Sequence, residues 1–76
     1  MKRYNITIGD GDIDVDDWAF MVAHRFRGRV VSTVPNFNAS GEDLVVVEFP
    51  DAAAGSVRKE LHRDDRVIAY RVGGAA

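Results

Sequence analysis

The chain of 76 residues contains no cysteine, which excludes a disulfide framework and any thiolate metal cage. A domain this short buries only about 60% of the surface its unfolded chain exposes, so its fold must rest on packing. Long apolar runs are also missing. The longest, Trp18 to Ala23, is six residues, against about 20 for a helix that crosses a bilayer. Nor does charge of one sign prevail: the formal net charge is -2, which argues against a nonspecific nucleic-acid binder and a membrane-surface protein. Lysine is scarce beside arginine, two against eight, and glutamate beside aspartate, three against nine. What remains is an ordinary globular composition, 46% hydrophobic and 29% charged, unlike a disordered tail or an acidic linker. No apolar targeting core follows Met1-Lys2-Arg3, so the default expectation is a cytoplasmic location.

Along the chain, Tyr4, Ile6 and Ile8 alternate with Asn5 and Thr7, the period-two pattern of a strand with one buried face. From Asp14 the period changes. Trp18, Val22 and Phe26, with Ala19 and Ala23 beside them, fall on one side of a helix that Asp14 or Asp16 caps and Gly28 stops. Val30 to Val34 reads as a second strand ending at Pro35, followed by the turn-prone stretch Asn36 to Gly41. Leu44 to Phe49 is the most apolar strand, apolar on both faces, which places it centrally. Pro50-Asp51 opens a second helix with the stripe Ala54, Val57 and Leu61, Asp64-Asp65 closes it, and a last strand runs from Arg66 to Val72. The order β-α-β-β-α-β predicts an α+β ferredoxin-like plait, a four-stranded antiparallel sheet with both helices on one face. Residues 1–72 form the single domain in this reading, and Gly73, Gly74, Ala75 and Ala76 a flexible tail. The expected core is Trp18, Val22, Phe26, Val45, Val47, Val57 and Leu61.

The candidate chemistry is thin. Asp10, Asp12, Asp14, Asp16 and Asp17 alternate like calcium ligands, but an EF-hand loop starting at Asp10 would carry Val15 where glycine is required and Met21 where the bidentate glutamate belongs. Helix capping accounts for them better, and no metal or other cofactor is expected. The two histidines, His24 and His62, lack zinc-ligand spacing; His24 is expected beside Asp17 and Phe20, and His62 at the end of the second helix. Ser32, Ser40 and Ser56 lie in unrelated contexts, and no phosphate-binding glycine loop is present. The chain reads as a non-enzyme.

The RNA-recognition motif shares this topology but stacks bases on aromatic side chains of its third strand. Leu44 and Val46 stand where those rings would be, and Glu42-Asp43 repel phosphate, so nucleic acid is not expected as a partner. The comparison exposes another feature. With Val45 and Val47 turned toward the helices, Leu44 and Val46 face the open side, where they are expected to join Val31 in an apolar patch flanked by Asn5 and Thr7. Such a patch fits a protein partner or a second copy of the chain. A second candidate surface is Phe20, opposite the buried stripe and among His24 and Arg27, either folded under a loop or an anchor for a partner.

From Gly28 to Val72 the chain resembles the propeptide domain of subtilisin-type serine proteases and the free-standing inhibitors of that family. The likeness lies in Arg27-Gly28-Arg29-Val30 after the first helix, the Asn36-Phe37-Asn38-Ala39 turn, the valine-rich third strand, Pro50-Asp51, and Leu61 to Val67 entering the last strand. The resemblance implies the same plait, with the open sheet face docked on two helices of the protease through Leu44 and Val46. It also implies that Val72, Gly73, Gly74, Ala75 and Ala76 occupy the active-site cleft as an inhibitory tail, in a protein that is secreted if it is an excised propeptide. The expected function is therefore a non-catalytic protein-binding domain of the inhibitor or intramolecular-chaperone kind. The alternative is an intracellular or phage-encoded regulatory protein that dimerises or binds a host protein through the same face.

Overall fold

Alternation in the first strand and a three-to-four residue stripe in the first helix produce a βαβ unit, and the pattern then repeats. A computed structural model describes residues 1–9 and 14–73. Its elements are β1 (Lys2–Ile8), α1 (Val15–Arg25), β2 (Arg29–Val34), β3 (Asp43–Phe49), a 3-10 turn (Asp51–Ala53), α2 (Ala54–Arg63) and β4 (Val67–Gly73). The strands form one sheet in the order β2-β3-β1-β4, and all neighbouring pairs are antiparallel. This is the α+β ferredoxin-like plait. The doubly apolar β3 lies inside the sheet, between β2 and β1.

The core occupies one face of the sheet. Tyr4, Ile6 and Ile8 from β1 and Val45, Val47 and Phe49 from β3 pack in one cluster with Trp18, Ala19, Val22 and Ala23 of α1 and Val57 and Leu61 of α2. Tyr4 meets Phe49 edge-on at 5.2 Å between ring centroids, a favoured aromatic geometry. Phe26, expected in the core, is only half-buried at the margin. The helix ends one residue before it, so its ring reaches the sheet from the end of the stripe and meets Phe49 edge-on at 6.1 Å.

One polar clasp joins the helices to β4. The Trp18 Nε1–H donates to Asp64 Oδ2 at 2.9 Å, and Asp64 is also the C-cap of α2. Its Oδ1 accepts from the Arg66 backbone N–H and Nε–H, each at 2.9 Å. At the other end of α1, Asp14 is the N-cap and its side chain accepts from the Asp16 and Asp17 N–H groups. Asp16 turns instead toward Thr33 of β2, whose hydroxyl donates to its carboxylate. Asp10 and Asp12 lie outside the described residues.

The stop of α1 corrects the sequence reading. Gly28 does not take the left-handed position; Arg27 does, with φ 59°. Arg27 N–H donates to the His24 carbonyl and Gly28 N–H to the Ala23 carbonyl, the two bonds of a Schellman cap with arginine where glycine is usual. Gly28 serves another need, because a Cβ there would lie 2.3 Å from the Glu48 carbonyl oxygen and 2.8 Å from Phe49 Cδ1. It is the point where the chain passes against β3.

Two further corrections concern the strands and one the second helix. Val31 sits at a register shift between Val30 and Ser32 and has no partner on β3; the bulge takes it out of the row that faces Leu44 and Val46. Val72 and Gly73 are not tail residues, since they pair with Tyr4 and Arg3 within the sheet, where the backbone of β1 satisfies them. Gly74, Ala75 and Ala76, the rest of the expected tail, lie outside the described residues. The second helix begins with a 3-10 turn after Pro50 rather than as α-helix.

The two cap residues predict opposite outcomes in urea denaturation. Arg27→Gly removes the cost of a left-handed side chain and is expected to raise stability by about 1 kcal/mol. Gly28→Ala forces a methyl group against the β3 backbone and is expected to lower it by about 3 kcal/mol. A stabilising Gly28→Ala would contradict the close approach.

Candidate functional site: the open face of the sheet

Both helices pack on one side, so the other side presents its side chains in rows set by register. The first row is Val34, Leu44, Thr7 and Ala69, from β2, β3, β1 and β4 in turn. The second is Ser32, Val46, Asn5 and Arg71, and the third is Arg29, Glu48, Arg3 and Gly73. The face therefore grades from apolar at one end to charged at the other.

The apolar end differs from the patch expected from sequence. Val46 is 9% exposed and lies outside the core cluster; as a short side chain on an inner strand it is dried by its neighbours alone. Leu44 is half-buried. The exposed apolar contribution comes instead from Val34, 42% exposed, and from Phe37, 39% exposed. Phe37 stands on the loop between β2 and β3, and this loop is built with many internal hydrogen bonds. Asn38 Oδ1 accepts from the Ser40 and Glu42 N–H groups, its amide donates to Glu42 Oε1 at 2.8 Å, and Asp43 accepts from the Asn36 N–H. Phe37 N–H donates to the Glu42 carbonyl at 2.8 Å. Asn36 and Gly41 supply the left-handed backbone the turn requires, with φ 53° and 77°. The aromatic ring is thus held beside Leu44, and together with Asn5, Thr7, Ala69 and Arg71 the two line a shallow concavity of about 320 Å³.

At the charged end, Glu48 receives two arginines across adjacent strands. Arg3 reaches Glu48 Oε2 at 3.1 Å and Arg29 reaches Oε1 at 2.9 Å. These bonds, that of Arg3 foremost, hold the Glu48 carboxyl below its usual range against a smaller opposing effect of desolvation. Arg71, in the next row, makes no ion pair among the described residues. Sequence reasoning missed both Arg71 and Phe37 as members of this site, because no local pattern places the last strand and the β2–β3 loop together.

The other candidate surface is simpler. Phe20 is 67% exposed, and no loop among the described residues covers it. Its ring stacks on His24, 6.1 Å between centroids at an interplanar angle of 9°, and His24 makes no ion pair with Asp17 among the described residues. Arg27 lies beyond the helix end in the cap. His62 faces β4, with Nε2 2.9 Å from the Tyr70 hydroxyl.

Among the described residues, no group of three or more His, Asp or Glu side chains is placed to hold a metal ion, and no helix is long and apolar enough to cross a membrane. No family model matches the chain, and no curated protein matches it.

Two carboxyls predict the acid limb of stability. At Asp64 burial raises the pKa, but the bonds from Arg66 and Trp18 outweigh it and leave the carboxyl lowered; Glu48 is lowered as well. A folded-state pKa below the unfolded one, ~3.9 for Asp and ~4.3 for Glu, gives stability that is complete above those values. It is lost as pH falls through the lowered ones. Thermal melts from pH 6 to pH 2 are therefore expected to show Tm falling below roughly pH 4, with a shallower fall in Glu48→Gln and in Asp64→Asn. An unchanged slope in both variants would contradict the assignment.

Proposed function

We propose that the chain is a small non-catalytic protein-binding domain that works through the open face of its sheet. The observation that carries this reading is the shallow concavity of about 320 Å³ beside the half-buried Leu44, edged by an exposed phenylalanine on a loop held by its own hydrogen bonds. An aromatic residue carried beside an apolar hollow on a hydrogen-bonded loop suits recognition, because little loop freedom is lost on binding. Catalysis has less support, since among the described residues this face carries no nucleophile beside a base. The sequence resemblance names a partner class, subtilisin-type proteases, and the same face would dock on one. The inhibitor reading draws no support from Val72 and Gly73, which are committed to the sheet.

Leu44→Asp tests the reading. The side chain is half-buried outside the core cluster, so the variant is expected to fold and to lose at most about 2 kcal/mol of stability. An unpaired carboxylate in an interface is costly, so association is expected to vanish, measured as self-association in sedimentation velocity and as capture by immobilised, active-site-blocked subtilisins. Wild-type association in the variant, or unfolding of the variant, would sink the reading.

A further inference from the structure

The strand rows of the open face are positive on a chain that is negative overall. Arg3, Arg29 and Arg71 lie in those rows with Glu48 as the one carboxylate among them, while the formal net charge of the whole chain is -2. Glu48 is committed to Arg3 and Arg29. Glu42 and Asp43, at the loop end of the face, are bonded to Asn38 and to the Asn36 N–H. Arg71 is left without a carboxylate among the described residues, and it borders the concavity whose floor and wall are Leu44, Ala69 and Phe37. Asn5 and Thr7, also in the lining, supply an amide and a hydroxyl beside it.

An apolar hollow next to an unneutralised guanidinium and two neutral hydrogen-bonding groups has a definite complement. Resting on the reading of this face as a protein-binding surface, we propose that its partner presents an apolar side chain with a carboxylate adjoining it, the side chain seated against Leu44 and Phe37 and the carboxylate paired with Arg71. The occupant is thus an acidic segment of a protein. A nucleic acid fits less well. Tyr70 also borders the concavity, but its ring lies against Tyr4 and His62 on the helix side, so bases would have only Phe37 to stack on, and two of the three arginines already share Glu48.

The pairing is testable on the intact chain by proton–nitrogen NMR titration with N-acetyl-L-leucine, which carries both groups, and N-acetyl-L-leucinamide, which lacks the charge. The acid is expected to shift the amide signals of Asn5, Thr7, Leu44, Ala69 and Arg71 saturably and to bind about fivefold more tightly than the amide, the upper range for an exposed ion pair. Arg71→Gln is expected to abolish that difference and leave the weaker binding, whereas Arg58→Gln, on α2, leaves it intact. Equal binding of acid and amide to the wild type would overturn the charge pairing yet leave the protein-binding face standing. Absence of binding by either probe would overturn the pocket assignment, while the Leu44→Asp association assay judges the face separately. Saturable shifts of the same residues by oligo-dT, tighter than those of the acid, would overturn the choice of a protein segment.

Discussion

A four-stranded sheet has two faces, and this chain folds both of its helices onto the same one. Everything else follows from which residues lie on which side. Strand β3 is apolar at nearly every position, so period-two geometry sends Val45, Val47 and Phe49 into the core and Leu44 and Val46 to a face that no helix covers. The core side is dry and aromatic, with Tyr4, Phe26 and Phe49 in edge-on contact. Among the described residues, the open side is left to its own side chains and one loop. Its apolar end needs cover, and its charged end is neutralised only in part.

Polar interactions fix how these layers meet. Asp64 caps α2 through its backbone N–H, and its carboxylate accepts the indole N–H of α1 and holds Arg66 at the entrance of β4, so one residue ties three elements. Glu48 does the corresponding work on the open face, drawing Arg29 and Arg3 from the strands on either side. Both carboxyls are lowered, so the same charges that join the elements also make the fold sensitive to acid.

Periodic features of the sequence were legible. The alternation of Tyr4, Ile6 and Ile8, the stripe of Trp18, Val22, Val57 and Leu61, and the doubly apolar β3 each report a local geometry, and together they were enough for the plait. Features set by contact across the chain were not. Val31 looked like a third member of the open patch until the bulge at β2 removed it from register. Gly28 looked like the left-handed residue of the cap because glycine usually is, whereas Arg27 takes that conformation and the need for glycine at 28 is set by a carbonyl of β3 lying 20 residues further along the chain. Gly73 looked like tail because nothing local tells that Arg3 will pair with it. The concavity was hidden for the same reason: Phe37 and Arg71 meet only through the sheet order. Of the residues expected on the open face, Leu44 and Val46 are there, and the groups that give that face its charge and its aromatic edge were missed.

The absence of cysteine makes the central claim, that β3 turns one apolar face to the helices and the other to an uncovered surface, directly measurable. Single cysteines introduced as Leu44→Cys and Val45→Cys differ by one residue along the strand and by the whole thickness of the sheet. Under native conditions, the rate of maleimide labelling is expected to be fast at position 44 and limited by unfolding at position 45, at least a hundredfold slower, as about 3 kcal/mol of protection would give. Comparable rates at the two positions, or faster labelling at position 45, would contradict the assignment of the faces.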